Sequence, residues 1–136
     1  MSEFIFPVRV YYEDTDVAGI VYYANYLRFL ERGRTEWLRE LGVDQTILID
    51  QDIAFVVTEV NIQYLKPARF NDLLEVVTEI YSTGRARLLF KQSVRNKQQK
   101  NLVYCTAEVK AACINMTSLK PTALPEQLVK EIMCER

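Results

Sequence analysis

Histidine is absent from all 136 residues. Without an imidazole there is no Ser-His-Asp or Cys-His relay and no His-ligated metal, so hydrolysis or proton transfer would fall to a carboxylate. Cysteine is scarce. Cys105, Cys113 and Cys134 are odd in number and show no Cys-x-x-Cys spacing, which leaves neither a disulfide framework nor a metal site. Cys105 and Cys113 fall in an apolar alternation and read as small buried hydrophobes. Charge of one sign is lacking too: 17 basic residues face 18 acidic ones, a net charge of −1. This excludes the basic excess typical of a nucleic-acid binder, so no nucleic-acid partner is expected. No apolar run approaches the roughly 20 residues that cross a bilayer. The start, Met1 to Pro7, lacks the basic and apolar regions of a signal peptide. A cytoplasmic protein is expected, folded as a single domain over 1–136.

What is present is concentrated between Tyr11 and Tyr26. This stretch holds Glu13, Asp14, Asp16, a turn-forming Gly19 and five tyrosines, and it lies between an apolar strand pattern and the longest helical pattern in the chain. Carboxylates on a turn that feeds a helix are costly for a purely structural segment. Such a turn also presents free backbone N–H groups able to polarise a carbonyl oxygen.

Alternation at period two predicts strands over Phe6–Tyr12, Ile53–Leu65, Leu73–Ser82, Arg85–Arg95 and Leu102–Asn115. In the second of these, Val56, Thr58, Val60, Ile62 and Tyr64 are expected to share one face. A broad apolar stripe predicts a helix over Tyr22–Leu41. Gly33 lies on that stripe, where its cost is best explained by close approach of a packed strand. Arg32 with Glu36, and Glu31 with Arg34, have the spacing of structural pairs on this helix. Asp44 is placed to cap a short helical turn reaching Asp50. Pro125 can open a final helix over Glu126–Cys134. The order β-α-β-β-β-β plus a short C-terminal helix implies an α+β fold, in which a curved antiparallel five-stranded sheet wraps one long helix.

Tyr12-x-Asp14-Thr15-Asp16-x-x-Gly19-Ile20-Val21-Tyr22-Tyr23-x-Asn25-Tyr26, followed by Phe29-Leu30-Glu31, Arg34 and Glu36, resembles the signature of hotdog-fold acyl-CoA thioesterases. The likeness is to the 4-hydroxybenzoyl-CoA thioesterase family, and most of all to its branch associated with the bacterial Tol-Pal system. Ala54-Phe55-Val56-Val57, Pro67-Ala68-Arg69-x-x-Asp72 and Lys120-Pro121-x-x-Leu124-Pro125 fit that branch as well. The resemblance implies a hotdog fold that hydrolyses acyl-CoA. Coenzyme A then enters as part of the substrate, with no separate cofactor and no metal. Asp16 is implied as the catalytic carboxylate, acting as nucleophile or as base toward water. The Tyr23 backbone N–H is implied as the donor to the thioester carbonyl. A homo-oligomer, a dimer or a tetramer, with sites at a subunit interface is implied too. The branch often carries His at the position of Tyr23, a departure that bears on rate and acyl preference.

An isolated Asp before a helix reads as an N-cap or Asx turn. Within this motif, and with no His available, catalysis is the stronger reading of Asp16. Gly19 permits the turn. Asp14 reads as a residue that orients the turn, and Glu13 as a surface charge. Tyr22 and Tyr26 are candidates to line an acyl pocket, although aromatics at this spacing more often form core. Arg85 and Arg87 project to one side of their strand, and the resembling enzymes set basic residues near this turn against the nucleotide phosphates of coenzyme A. The competing reading of both is a solvated face. A different class of function also fits: a non-catalytic module that holds acyl carrier protein or phospholipid-synthesis partners beside the Tol-Pal envelope system, with the basic residues docking an acidic partner.

Overall fold

The structure is a computed structural model describing residues 3–134. Five strands form one antiparallel sheet: β1 (Phe4–Arg9), β2 (Ile53–Tyr64), β3 (Leu73–Thr83), β4 (Arg87–Asn96) and β5 (Val103–Asn115), in the order β1-β3-β4-β5-β2. Among the described residues three α-helices accompany the sheet: α1 (Asn25–Glu40), α2 (Gln45–Asp50) and α3 (Glu126–Cys134). The expected α+β architecture with one long helix on the sheet is present. Among the described residues no helix is long and apolar enough to cross a membrane.

Alternation places Leu74, Val76, Thr78 and Ile80 of β3, and Leu88, Phe90, Gln92 and Val94 of β4, on the face that α1 covers. Phe29 and Leu30 of α1 are fully buried against them. Gly33 is where helix and sheet come closest. A Cβ there would lie 2.6 Å from Val76 Cγ1 and 3.0 Å from Thr78 Oγ1, so no larger residue fits without movement. One polar network crosses this contact. Gln92 Nε2 donates to Leu30 O at 3.0 Å and to Thr78 Oγ1 at 2.9 Å, and Gln92 Oε1 accepts from Arg34 Nη1 at 3.1 Å. The expected side-chain pairs on α1 are rearranged. Glu31 accepts from the Thr35 hydroxyl rather than meeting Arg34, and Glu36 pairs with Arg39 rather than Arg32.

Four expected boundaries or phases are corrected. The first strand ends at Arg9, because Tyr12–Asp14 closes into a 3-10 turn. The long helix begins at Asn25 rather than Tyr22, because the Tyr22 N–H is bonded to Asp14 O. The fourth strand begins at Arg87 rather than Arg85, since Gly84 N bonds Arg87 O across a tight turn. In β2 a bulge between Val57 and Glu59 changes the phase. Val60, Ile62 and Tyr64 share a face as expected. Before the bulge, however, Phe55 and Val57 pair with Cys113 and Ala111 and so take the helix side in place of Val56 and Thr58.

β2 is an edge strand, and α1 packs across β1, β3 and β4 without covering it. Val57 and Val60 are consequently 46% and 38% exposed.

Candidate active site

Asp14 is the hub from which the site is built. It is buried at 5% exposure. Its Oδ2 accepts from Tyr11 N at 2.8 Å, its Oδ1 accepts from Asn25 Nδ2 at 2.6 Å, and its backbone O accepts from Tyr22 N at 2.9 Å. One carboxylate thus ties the end of β1, the return of the turn and the first residue of α1. A buried carboxylate persists when its oxygens are bonded in this way.

The turn projects beyond that hub. Thr15 and Val21 form an isolated bridge, and Asp16 N bonds Ile20 O while Gly19 N bonds Asp16 O, both at 3.0 Å. Gly19 has φ +77°, a left-handed conformation that glycine adopts without penalty. The segment after β2 braces the turn from outside. Val21 N bonds Ala68 O, Ile20 bridges Arg69, Phe70 N bonds Gly19 O, and the Tyr12 and Phe70 rings stack with centroids 4.0 Å apart. The role of this brace, and of Asn25, was not read from the sequence, because each depends on a contact across many residues.

Asp16 is exposed at the tip. Its Oδ1 accepts from Ala18 N at 2.9 Å, the Asx-turn bond, and its Oδ2 has no partner among the described residues. Both readings of Asp16 are therefore compatible in one side chain, with one oxygen shaping the turn and the other facing outward. The Tyr23 N–H, just ahead of α1, has no acceptor among the described residues.

Four tyrosines adjoin the turn. Tyr22 and Tyr23 are exposed and meet at 4.9 Å. Tyr64 meets Tyr23 at 5.9 Å and Tyr26 at 5.7 Å. Ile20, Tyr23, Tyr26, Tyr64 and Pro67 line a shallow cleft of about 240 Å³. Tyr26 supplies a wall rather than a free hydroxyl. It is 3% exposed, its Oη accepts from Ala68 N at 3.1 Å, and burial pushes its phenol up to about 12. Tyr64, which lines this cleft, was not singled out from the sequence, although its place on the inner face of β2 was a usable signal.

Arg85 and Arg87 are exposed, and among the described residues neither forms an ion pair. The structure does not bring them to Asp16 within one chain. The Asp16 turn adjoins the start of β3 through the Asp72 and Ala68 segment, whereas Arg85 follows the end of that 11-residue strand. At about 3.3 Å per residue the two ends lie on the order of 30 Å apart.

A model of the thioesterase-like superfamily matches residues 10–132. An acyl-CoA thioesterase of Haemophilus influenzae is 46% identical over 126 residues, covering 92% of this chain and 90% of that protein. An acyl-CoA thioester hydrolase of Escherichia coli O6:H1 is 44% identical over 128 residues, 94% of each chain. Among solved structures, a probable thioesterase from Bartonella henselae superposes with a TM-score of 0.84 at 37% identity, over 91% of this chain and all of that one. A 1,4-dihydroxy-2-naphthoyl-CoA thioesterase from Synechocystis superposes with a TM-score of 0.90 at 23% identity, over 97% and 96% of the two chains, a likeness of hotdog fold.

Proposed function

This chain belongs to the thioesterase-like superfamily, and from that membership we propose that it hydrolyses acyl-CoA thioesters to a free acid and coenzyme A. Identity of 44–46% to acyl-CoA thioesterases over nearly the whole length carries the reading.

In this reading the Tyr23 N–H donates to the thioester carbonyl oxygen, and the dipole of α1 favours the charge that develops there. Asp16 Oδ2 either attacks the carbonyl carbon, forming a mixed anhydride that water then hydrolyses to the free acid and regenerated Asp16, or takes a proton from a water that attacks the carbonyl carbon; in both the thiolate of coenzyme A leaves. A thioester is activated enough for a carboxylate to suffice without imidazole. Neither a metal nor a separate cofactor enters the scheme, and a cytoplasmic location follows from the substrate.

The site is completed by a second copy. β2 offers an unpaired edge with exposed apolar side chains, and two such edges joined antiparallel about a two-fold axis extend the sheet. That pairing carries the Arg85 and Arg87 end of one chain toward the partner's Asp16 turn. There the two guanidiniums meet the phosphates of coenzyme A, which resolves their separation from Asp16 within one chain.

Asp16→Asn tests the mechanism. Asn retains an oxygen for the Ala18 N–H but cannot act as nucleophile or base. Release of free thiol from acyl-CoA is expected to fall by at least about 100-fold, with the melting temperature held. Wild-type turnover in this variant would refute the role of Asp16.

A docking module remains a second reading, favoured by the exposure of Arg85 and Arg87. Binding of acyl carrier protein, without turnover of any acyl-CoA, would establish it in place of the first and would give the Tol-Pal association a basis.

A further inference from the structure

Arg34 is a charged side chain that the network between α1 and the sheet engages at one nitrogen. It is half-buried on α1, and burial lowers its pKa from the usual value, partly offset by Glu31. Among the described residues no carboxylate forms an ion pair with it. Among the described residues its hydrogen bond goes to Gln92 Oε1. Gln92 cannot be turned around, because its Nε2 is committed to Leu30 O and Thr78 Oγ1. Arg34 is thus held in place by a buried network while most of its five N–H donors stay unused.

Arg34 borders a cleft of about 140 Å³ between α1 and β2. Leu38, Phe55, Val57 and Phe90 make its walls apolar, and Glu31 stands at its rim. Glu31 Oε2 accepts from the Thr35 hydroxyl at 2.6 Å, which leaves it further acceptor capacity.

A path leads to this cleft from the catalytic turn. Leu27, Glu31, Arg34 and Leu38 follow at steps of three or four residues, so they share one side of α1, with Tyr23 one turn ahead. β2 runs antiparallel beside them. Phe55 and Val57 lie at the Arg34 end, and Tyr64 meets Tyr23 at the other. Leu27 and Val60 are exposed between the two ends. The helix rise sets Glu31 and Arg34 roughly 9–14 Å beyond the start of α1, and a helical side chain leans back toward the N-terminus. An extended medium-chain acyl group attached at the turn spans this interval.

We propose that the distal end of the acyl group occupies this cleft, and that Arg34 is a specificity-determining residue favouring chains that end in a hydroxyl. The hydroxyl oxygen accepts from Arg34, and its proton is donated to Glu31. A terminal methyl would instead desolvate the guanidinium donors that Gln92 does not engage, without bonding them. A site built to bond a hydroxyl rejects the analogue that lacks it far more strongly than an apolar pocket rejects a shorter chain. The proposal rests on the acyl-CoA thioesterase reading.

The test compares kcat/KM of the full chain for ω-hydroxydecanoyl-CoA and decanoyl-CoA by release of free thiol. The wild-type protein is expected to favour the hydroxylated substrate by about tenfold or more, and Arg34→Met to bring the ratio close to unity. A wild-type ratio near unity with decanoyl-CoA turned over, or an Arg34→Met loss that falls equally on both substrates, would overturn the assignment of Arg34. Inertness toward every acyl-CoA would instead defeat the thioesterase reading itself. Should Arg34→Met fail to fold, Val57→Trp, once shown by gel filtration to keep the wild-type assembly, fills the β2 side of the cleft. It is expected to lower the decanoyl-CoA to butanoyl-CoA ratio by about tenfold, and an unchanged ratio would place the acyl tail elsewhere and reject the proposal.

Discussion

Asp14 and Asp16 are two residues apart and have opposite surroundings. Asp14 spends both oxygens and its carbonyl inside the protein, whereas Asp16 spends one oxygen on the turn and turns the other outward. A carboxylate that must react needs an uncommitted oxygen, and a carboxylate that must hold a turn needs none. In the proposed mechanism the donor to the carbonyl is a main-chain group, so the phenol of Tyr23 is not required for its supply. Tyr23→Phe is therefore expected to keep kcat within about fivefold of wild type, against the 100-fold or more that follows loss of an oxyanion donor. Steady-state kinetics on one acyl-CoA decides between these outcomes. The motif made Asp16 and Tyr23 legible as neighbours of a helix start. That the Tyr22 N–H is bonded to Asp14 O while the Tyr23 N–H has no acceptor among the described residues was not legible, since it depends on where the 3-10 turn closes.

At the scale of elements, local chemistry decides where its partner is near in sequence. The final helix runs over Glu126–Cys134 as its Pro125 start implies, and Asp44 Oδ1 accepts from Thr46 N at 2.8 Å at the start of α2. α2 is six residues long and depends on that cap. Asp44→Ala is expected to cost about 1 kcal/mol, read as a lower denaturant midpoint with unchanged slope. Strand phase is the counterexample. A period-two reading sets Val56 and Thr58 on the face of Val60, but the bulge between Val57 and Glu59 turns Phe55 and Val57 inward instead. A bulge is set by the partner strand β5, about 50 residues later, and leaves no mark in the alternation of β2 itself. That phase decides which side chains wall the Arg34 cleft.

For the whole molecule, the separation of Asp16 from Arg85 and Arg87 makes a prediction about assembly. Asp16→Ala and the double variant Arg85→Ala/Arg87→Ala are each expected to lose turnover. Mixed and reassembled, they should recover turnover above either parent, because a heterodimer holds one site with both parts intact. Absence of recovery under conditions where subunits exchange would place the two groups in separate functions. Burial sets a second global property. Desolvation pushes the thiol of Cys105 and the phenol of Tyr26 up to about 12, from ordinary values of 9.0 and 10.0. The folded state therefore holds these protons where the unfolded chain releases them. The associated stability is complete below about pH 9 and is lost as pH rises toward 12. Cys105→Ala and Tyr26→Phe should each flatten the fall of melting temperature across that window.

The sequence by itself determined which catalytic groups are missing and the order of elements. Zero histidine removes every imidazole relay and imidazole ligand, and period-two and period-3.6 patterns separate five strands from one long helix, because both kinds of information reside in residue type and near-neighbour spacing. Only the tertiary structure decided which oxygen of which aspartate is available, which face of β2 looks at α1, and how far the basic turn lies from the acidic one. Each of these depends on contacts between segments distant in the chain, where packing and hydrogen-bond satisfaction select one arrangement among several that the local pattern permits.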